Sequence, residues 1–173
     1  MRIRIRMLAC CLVSGLALSS SEASQVRSLD LEQMTGRAVR IFSGRCIASE
    51  VVFDATAGSD VTVATFSVDR AVKGVTGRTV TVRMSGDTKV PKFHTGEDVV
   101  LFLYGESALG LSAPVGLGQG RFTVVTDKQG RKRAINDVGN ENLTRRTGRK
   151  NGPAEILDPG SLLDRVERII RER

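Results

Sequence analysis

Histidine and cysteine, which often serve as general base, thiol nucleophile and soft metal ligand, are scarce in this chain. Its single histidine is His94, and its three cysteines are Cys10, Cys11 and Cys46. Nucleophilic catalysis needs a nucleophile beside a base, and a structural zinc site needs about four nitrogen or sulfur ligands. No G-x-S-x-G, S-x-x-K or H-E-x-x-H segment supplies such a set. We therefore expect no catalytic residue, no metal ligand and no cofactor; an enzyme stays the alternative if a metal or cofactor co-purifies.

A glycine-rich segment, GLGQG at residues 116–120, is the one feature suggestive of phosphate binding. It precedes a predicted strand, whereas a phosphate site of this kind needs a helix N-terminus after the loop. We interpret it as a loop. His94, between Phe93 and Thr95, is interpreted as a surface-loop residue.

Basic residues form the only dense charge feature. They fall in a predicted hairpin and in the segment after it: Arg131, Lys132, Arg133, Arg145, Arg146, Arg149 and Lys150. Such groups could bind an anionic glycan or lipid of the cell envelope, or they could simply be solvated. Nucleic acid is not expected, because single-strand binders need exposed aromatic platforms. The chain has no tryptophan and one tyrosine, and its phenylalanines lie mostly at predicted core positions.

The first 23 residues have the layout of a secretory signal peptide. Arg2, Arg4 and Arg6 precede an apolar run at residues 7–18, and Ser-Glu-Ala at residues 21–23 fits a cleavage site. The run is too short for a permanent membrane span. We predict cleavage near Ala23 and a periplasmic or secreted protein without a transmembrane segment; an uncleaved anchor is the alternative. Cleavage would leave a net charge of +5.

Cys46 would then be the only thiol of the mature protein, so no internal disulfide could form and the hydrophobic core must hold the domain together. Its place in an apolar strand pattern favours a buried residue over a reactive thiol or an intermolecular bridge.

Hydrophobic periodicity predicts the elements. A short helix at residues 28–35 can be capped by Ser28 or Asp30. Period-two patterns then predict strands from residue 38, at 61–74 and at 79–84, with a bend at Gly44. The first strand places four residues on one face: Phe42, Gly44, Cys46 and Ala48.

Residues 99–104 are apolar on both faces and predict the most buried strand. A long loop follows at residues 105–120, with room for one short strand, and residues 121–126 and 131–136 form a final hairpin. An apolar stripe at helical spacing predicts a C-terminal helix that packs on the strands or, alternatively, meets a partner or membrane.

These patterns divide the chain into a signal peptide (1–23), a short helical lead-in (24–37), a β-barrel (38–137), a basic linker (138–157) and a C-terminal helix (158–173). We predict a mainly β fold: a small five- to six-stranded barrel of the oligonucleotide/oligosaccharide-binding type, flanked by two helices.

Four segments carry a resemblance to a known family. They are IFSGR at 41–45, TFSVDRAVKG at 65–74, FHTGEDVVLFL at 93–103 and GLGQGRFTV at 116–124. In this order they resemble exported bacterial proteins with the barrel of tissue inhibitors of metalloproteinases and netrin-like domains. The resemblance implies a barrel and association with a matrixin-like metalloprotease. The animal inhibitors place an N-terminal cysteine on the protease's zinc, whereas Ser24 is the expected first residue here.

We therefore expect an exported, non-enzymatic protein-binding module, a partner or inhibitor of an exported metalloprotease. Contact would come from loops at residues 55–60, 73–77 and 85–96. The alternative is a cell-envelope protein that binds anionic glycan or lipid through its basic hairpin and linker.

Overall fold

The computed structural model describes residues 27–86, 92–143 and 157–173. The predicted signal peptide and most of the predicted linker lie outside these ranges. The described elements, in chain order, are α1 (Leu31–Arg37), β1 (Arg40–Asp54), β2 (Ser59–Lys73), β3 (Thr79–Ser85), β4 (Asp98–Leu103), β5 (Arg121–Thr126), β6 (Lys132–Asn136) and α2 (Pro159–Arg171). Short 3₁₀ turns occupy Leu117–Gln119 and Glu141–Leu143.

The six strands form one antiparallel sheet in the order β3-β2-β1-β4-β5-β6, so the predicted mainly β fold with two helices is confirmed. No ladder joins β3 to β6 in the described ranges, and the sheet is therefore not closed by strand pairing. The loop after β4 spans part of the gap: Ser112 N–H donates to the Arg83 carbonyl at 2.7 Å, and Tyr104 N–H donates to the Ala113 carbonyl at 3.0 Å. The predicted short strand is reduced to a single bridge, between Leu103 and Pro114.

Two hydrophobic cores lie on opposite faces of β4. Val99, Leu101 and Leu103 face a core shared with β1, β2 and β3. Val100 and Phe102 face a second core shared with β5 and both helices. Five of the six β4 residues are buried, which confirms the prediction that this strand is the most enclosed.

The helices begin where side chains can cap them. Asp30 accepts the Gln33 N–H at 2.8 Å, and Gln33 reciprocates in a capping box. Asp30, and not Ser28, is therefore the cap, and α1 starts later than predicted. Asp158 caps α2, with a proline in the first turn.

The apolar stripe of α2 packs inward, as predicted. Leu162, Leu163 and Val166 are buried in the second core. On its outer side Arg70 of β2 binds Asp164 at 2.8 Å and Glu167 at 2.7 Å, so α2 is fixed to the sheet.

Three register shifts interrupt the β1–β2 ladder. One lies beside Gly44, where the sequence predicted a bend. Another leaves Ile47 without a partner between Cys46 and Ala48. An extra residue reverses which side chains face inward, so the prediction that Ala48 shares a face with Phe42 and Cys46 is wrong: Ala48 is exposed, whereas Phe42 and Cys46 are buried.

Candidate functional site: the free edge of strand β1

The outer half of β1 has a strand neighbour on one side only. β2 pairs with β1 as far as Asp54, whereas β4 pairs with it only as far as Arg45. Two further hydrogen bonds follow at Cys46: its N–H donates to the Glu97 carbonyl at 2.8 Å, and its carbonyl accepts from Gly96 N–H at 2.7 Å. Past that point, at residues 47–54, the described chain places no backbone hydrogen-bond partner along the edge opposite β2. We call residues 47–54 the free edge.

The position of a tight turn at residues 94–97 determines where the free edge begins. Glu97 N–H donates to the His94 carbonyl at 3.1 Å, and Gly96 between them has a φ of 90°. Glycine adopts this conformation without the cost that a side chain would add. The chain therefore enters β4 beside Cys46, and the longer β1 extends beyond it. His94 lies exposed in this turn, as predicted.

Large apolar side chains on the free edge are open to solvent. Phe53 is 70% exposed, Val51 59% and Ile47 48%. A strand with unpaired backbone groups and exposed apolar side chains is a template for pairing with another chain. Glu50 is the only charged residue between Ile47 and Phe53.

The ladder shows which backbone groups point outward. Phe53 pairs with Asp60, whose carbonyl accepts from Gly86 N–H at 2.9 Å on the β3 side. In an antiparallel ladder the N–H and C=O of one residue point to the same side, and successive residues alternate. The backbone of Phe53 therefore faces the free edge. The backbone N–H and C=O groups of Val51 and Ser49, two and four residues earlier in β1, face the same edge.

The end of the hairpin is held in place by Asp54. Its carboxylate accepts from the N–H groups of Thr56 at 2.8 Å and Ala57 at 3.0 Å, and it also forms an ion pair with Arg83 of β3. The turn is therefore fixed by side-chain caps, and the free edge is already extended before any partner arrives.

A buried ion pair supports the inner end of the free edge. The Glu97 carboxylate accepts from Arg121 at 2.5 Å and from Thr123 Oγ1 at 3.0 Å. Arg121 also binds Asp137 at 2.9 Å and lies 5.2 Å from the Phe93 ring centre. The pair thus joins the turn before β4 to the start of β5, and it holds the residue whose carbonyl accepts from Cys46 N–H.

The predicted basic residues are only partly brought together. Arg131 and Arg133 both bind the Asp127 carboxylate, at 2.9 and 3.1 Å, and Lys132 lies 4.0 Å from Asp98. Carboxylates therefore offset part of the hairpin's charge. The other four lie outside the described residues: Arg145, Arg146, Arg149 and Lys150.

The Asp127 carboxylate gives a testable pH dependence. Hydrogen bonds from the Arg131 backbone, and then from the Arg131 and Arg133 side chains, lower its pKa from 3.8 to about 2. Because the pKa of Asp127 is lower in the folded than in the unfolded protein, its ionised carboxylate stabilises the fold at pH values above the unfolded-state pKa. This stabilisation is lost as the pH falls through the folded-state pKa. Between pH 4 and 2 we expect Asp127→Asn to lose less thermal stability than the wild type, measured by circular dichroism. An equal loss of thermal stability in both proteins over this pH range would contradict the assignment of the effect to Asp127.

Two other predicted features have structural explanations. Cys46 is fully buried, as predicted, and burial raises the pKa of its thiol. In the GLGQG loop, Gln119 Oε1 accepts from Leu29 N–H at 2.7 Å and its Nε2 donates to the Arg27 carbonyl at 3.1 Å. A cavity of about 260 Å³ lies beside Gln119, but these internal bonds already occupy the amide.

The prediction of function missed the free edge. Its signal was present as three consecutive apolar residues, Val51, Val52 and Phe53, next to a turn. The predicted loop at residues 55–60 adjoins it, while part of the predicted loop at 85–96 lies outside the described residues.

No group of three or more histidine, cysteine or acidic side chains in the described ranges could hold a metal ion. Among those same residues, no helix combines the length and the apolarity needed to cross a membrane. Comparison with known proteins finds no family model that matches this chain and no curated protein that matches it.

Proposed function

We propose that this chain is an exported, non-enzymatic protein-binding module whose contact surface is the free edge of β1. The observation that carries the proposal is that unpaired backbone groups coincide with exposed Val51 and Phe53 on the same strand. Main-chain pairing supplies affinity in strand addition, and the alternating side chains supply specificity. A partner that offers an extended segment fits this surface.

The resemblance noted in the sequence suggests an exported matrixin-like metalloprotease as the partner. Such a protein would be bound by strand addition, without the zinc-directed N-terminal cysteine of the animal inhibitors. The alternative, an anionic glycan or lipid bound by the basic hairpin, gains no support from Arg131 and Arg133, since both bind Asp127.

Affinity capture with a matched pair of variants tests this proposal. Val51→Lys places a charge on the free edge. Val39 lies outside the free edge and is similarly exposed, at 53%, so Val39→Lys is the matched control. We expect immobilised wild-type and Val39→Lys protein to retain the same exported protein, and Val51→Lys to retain at least about tenfold less, the equivalent of about 1.4 kcal/mol. Mass spectrometry identifies what is retained.

Equal retention by both variants would place the contact surface elsewhere. Retention of envelope polymer alone, lost at high salt, would favour the basic hairpin, because screening weakens exposed charge contacts.

A further inference from the structure

We propose that a second copy of this chain covers the free edge, pairing with it as an antiparallel strand about a twofold axis at Val51. The inference rests on the proposed function, since it names a partner for the same surface. A twofold interface uses one patch on both subunits, so the patch must complement itself.

The limits of the free edge meet this condition. At its inner end the backbone of Cys46 is hydrogen-bonded to that of Glu97, and at its outer end the chain leaves the strand after Asp54. Between the unpaired Ile47 and the turn lies an uninterrupted run of residues paired with β2, 48–54. The middle residue of this run is Val51, whose backbone faces outward. Rotation about Val51 therefore lays the whole run against its own equivalent.

The side chains agree with this register. Val51 would lie opposite Val51 of the second copy, Ser49 opposite Phe53, and Glu50 opposite Val52. Two neighbouring registers also keep the outward N–H and C=O groups of the two strands facing each other, but both place like charges opposite each other. Centring on Glu50 would oppose two glutamates, and centring on Val52 would oppose Glu50 to Asp54. Like charges directly opposite each other destabilise a strand pair.

The backbone supplies the attraction. Ser49, Val51 and Phe53 each present one donor and one acceptor to the edge, so the two copies could form about six hydrogen bonds. Pairing would join two sheets into one continuous sheet and would cover apolar side chains that are now exposed. Unprotected edges of this kind pair readily.

Sedimentation velocity of the purified protein tests the assembly. At about 100 µM, well above a micromolar dissociation constant, we expect dimers for the wild type and for Val39→Lys. We expect monomers for Val51→Lys and for Val51→Pro, which removes an outward N–H without removing a β1–β2 ladder bond. Thermal unfolding verifies that each variant is folded. A monomeric wild type, or a dimer that survives Val51→Lys, would overturn the proposal.

A cysteine at the axis tests the register. Residues in a hydrogen-bonded antiparallel pair have Cα atoms about 5.5 Å apart, within the range that a disulfide spans. Val51→Cys should therefore form a disulfide-linked dimer under mild oxidation, and Val39→Cys should not; buried Cys46 serves as the internal background. A wild-type dimer without a cross-link at residue 51 would refute this twofold arrangement.

The two proposals fail separately. A monomeric wild type that still retains an exported protein, in a manner sensitive to Val51→Lys, would refute self-pairing and leave the binding function standing. A dimer whose capture of other proteins is unaffected by Val51→Lys would refute the binding function and leave self-pairing standing.

Discussion

Replacing Arg121 with methionine is expected to lower the free energy of unfolding by about 3–5 kcal/mol, the usual cost of removing one partner from a buried ion pair. The Arg121 and Glu97 side chains are only 10% and 13% exposed. Without the guanidinium, the Glu97 carboxylate would keep hydrogen bonds from Thr123 Oγ1 and the His94 N–H but would lose the ion pair that the described residues give it. Urea denaturation at neutral pH measures the loss.

The double variant Arg121→Met, Glu97→Gln is the control. It removes both charges, and apolar or neutral replacement of a whole buried pair is often close to neutral. We expect it to be more stable than Arg121→Met alone. A single variant that loses less than about 1 kcal/mol would mean that the Glu97 carboxylate is stabilised by other means.

Gly44→Ala is expected to destabilise the fold by about 3 kcal/mol or more, at the upper end of the cost of overpacking. A Cβ at Gly44 would lie 2.2 Å from the Ser67 carbonyl oxygen. That oxygen belongs to the backbone of β2, and it cannot move aside without breaking the ladder between the two longest strands.

Gly105→Ala is the matched control. The nearest atom to its Cβ would be the Val39 Cγ2, at 3.5 Å, which is ordinary contact. We expect its urea midpoint to stay close to that of the wild type. Because Gly→Ala at an unstrained position is expected to be neutral or stabilising, a loss in Gly105→Ala as large as that in Gly44→Ala would show that the destabilisation does not come from the close approach at Gly44.

The elements were predictable because each depends on local patterns. The period-two alternation of β2 and β3, the turn at residues 127–130 and the cap at Asp30 are all encoded within a few neighbouring residues. The burial of Phe42 and Phe66 followed from the same alternation and is confirmed.

What the sequence could not provide depends on residues far apart in the chain. The pairing of β1 with β4 joins Arg45 to Asp98, and no local pattern announces it. The length of β1 relative to β4 decides where the free edge begins, so the site itself was not predictable. The bulge at Ile47 reversed the face of Ala48 because one extra residue shifts a period-two pattern by half a period.

The two cores also differ in when they can be completed as the chain is made. Every residue of the core between β1, β2, β3 and β4 lies between Phe42 and Leu103. The other core combines Leu29 with Leu162 and Val166, so it must wait until α2 has emerged. If the chain is exported as proposed and crosses a membrane from its N-terminus to its C-terminus, the first of these cores can pack early. Until α2 arrives, α1 and the face of β4 that carries Val100 and Phe102 would remain uncovered. The protein would be most prone to aggregation during this interval.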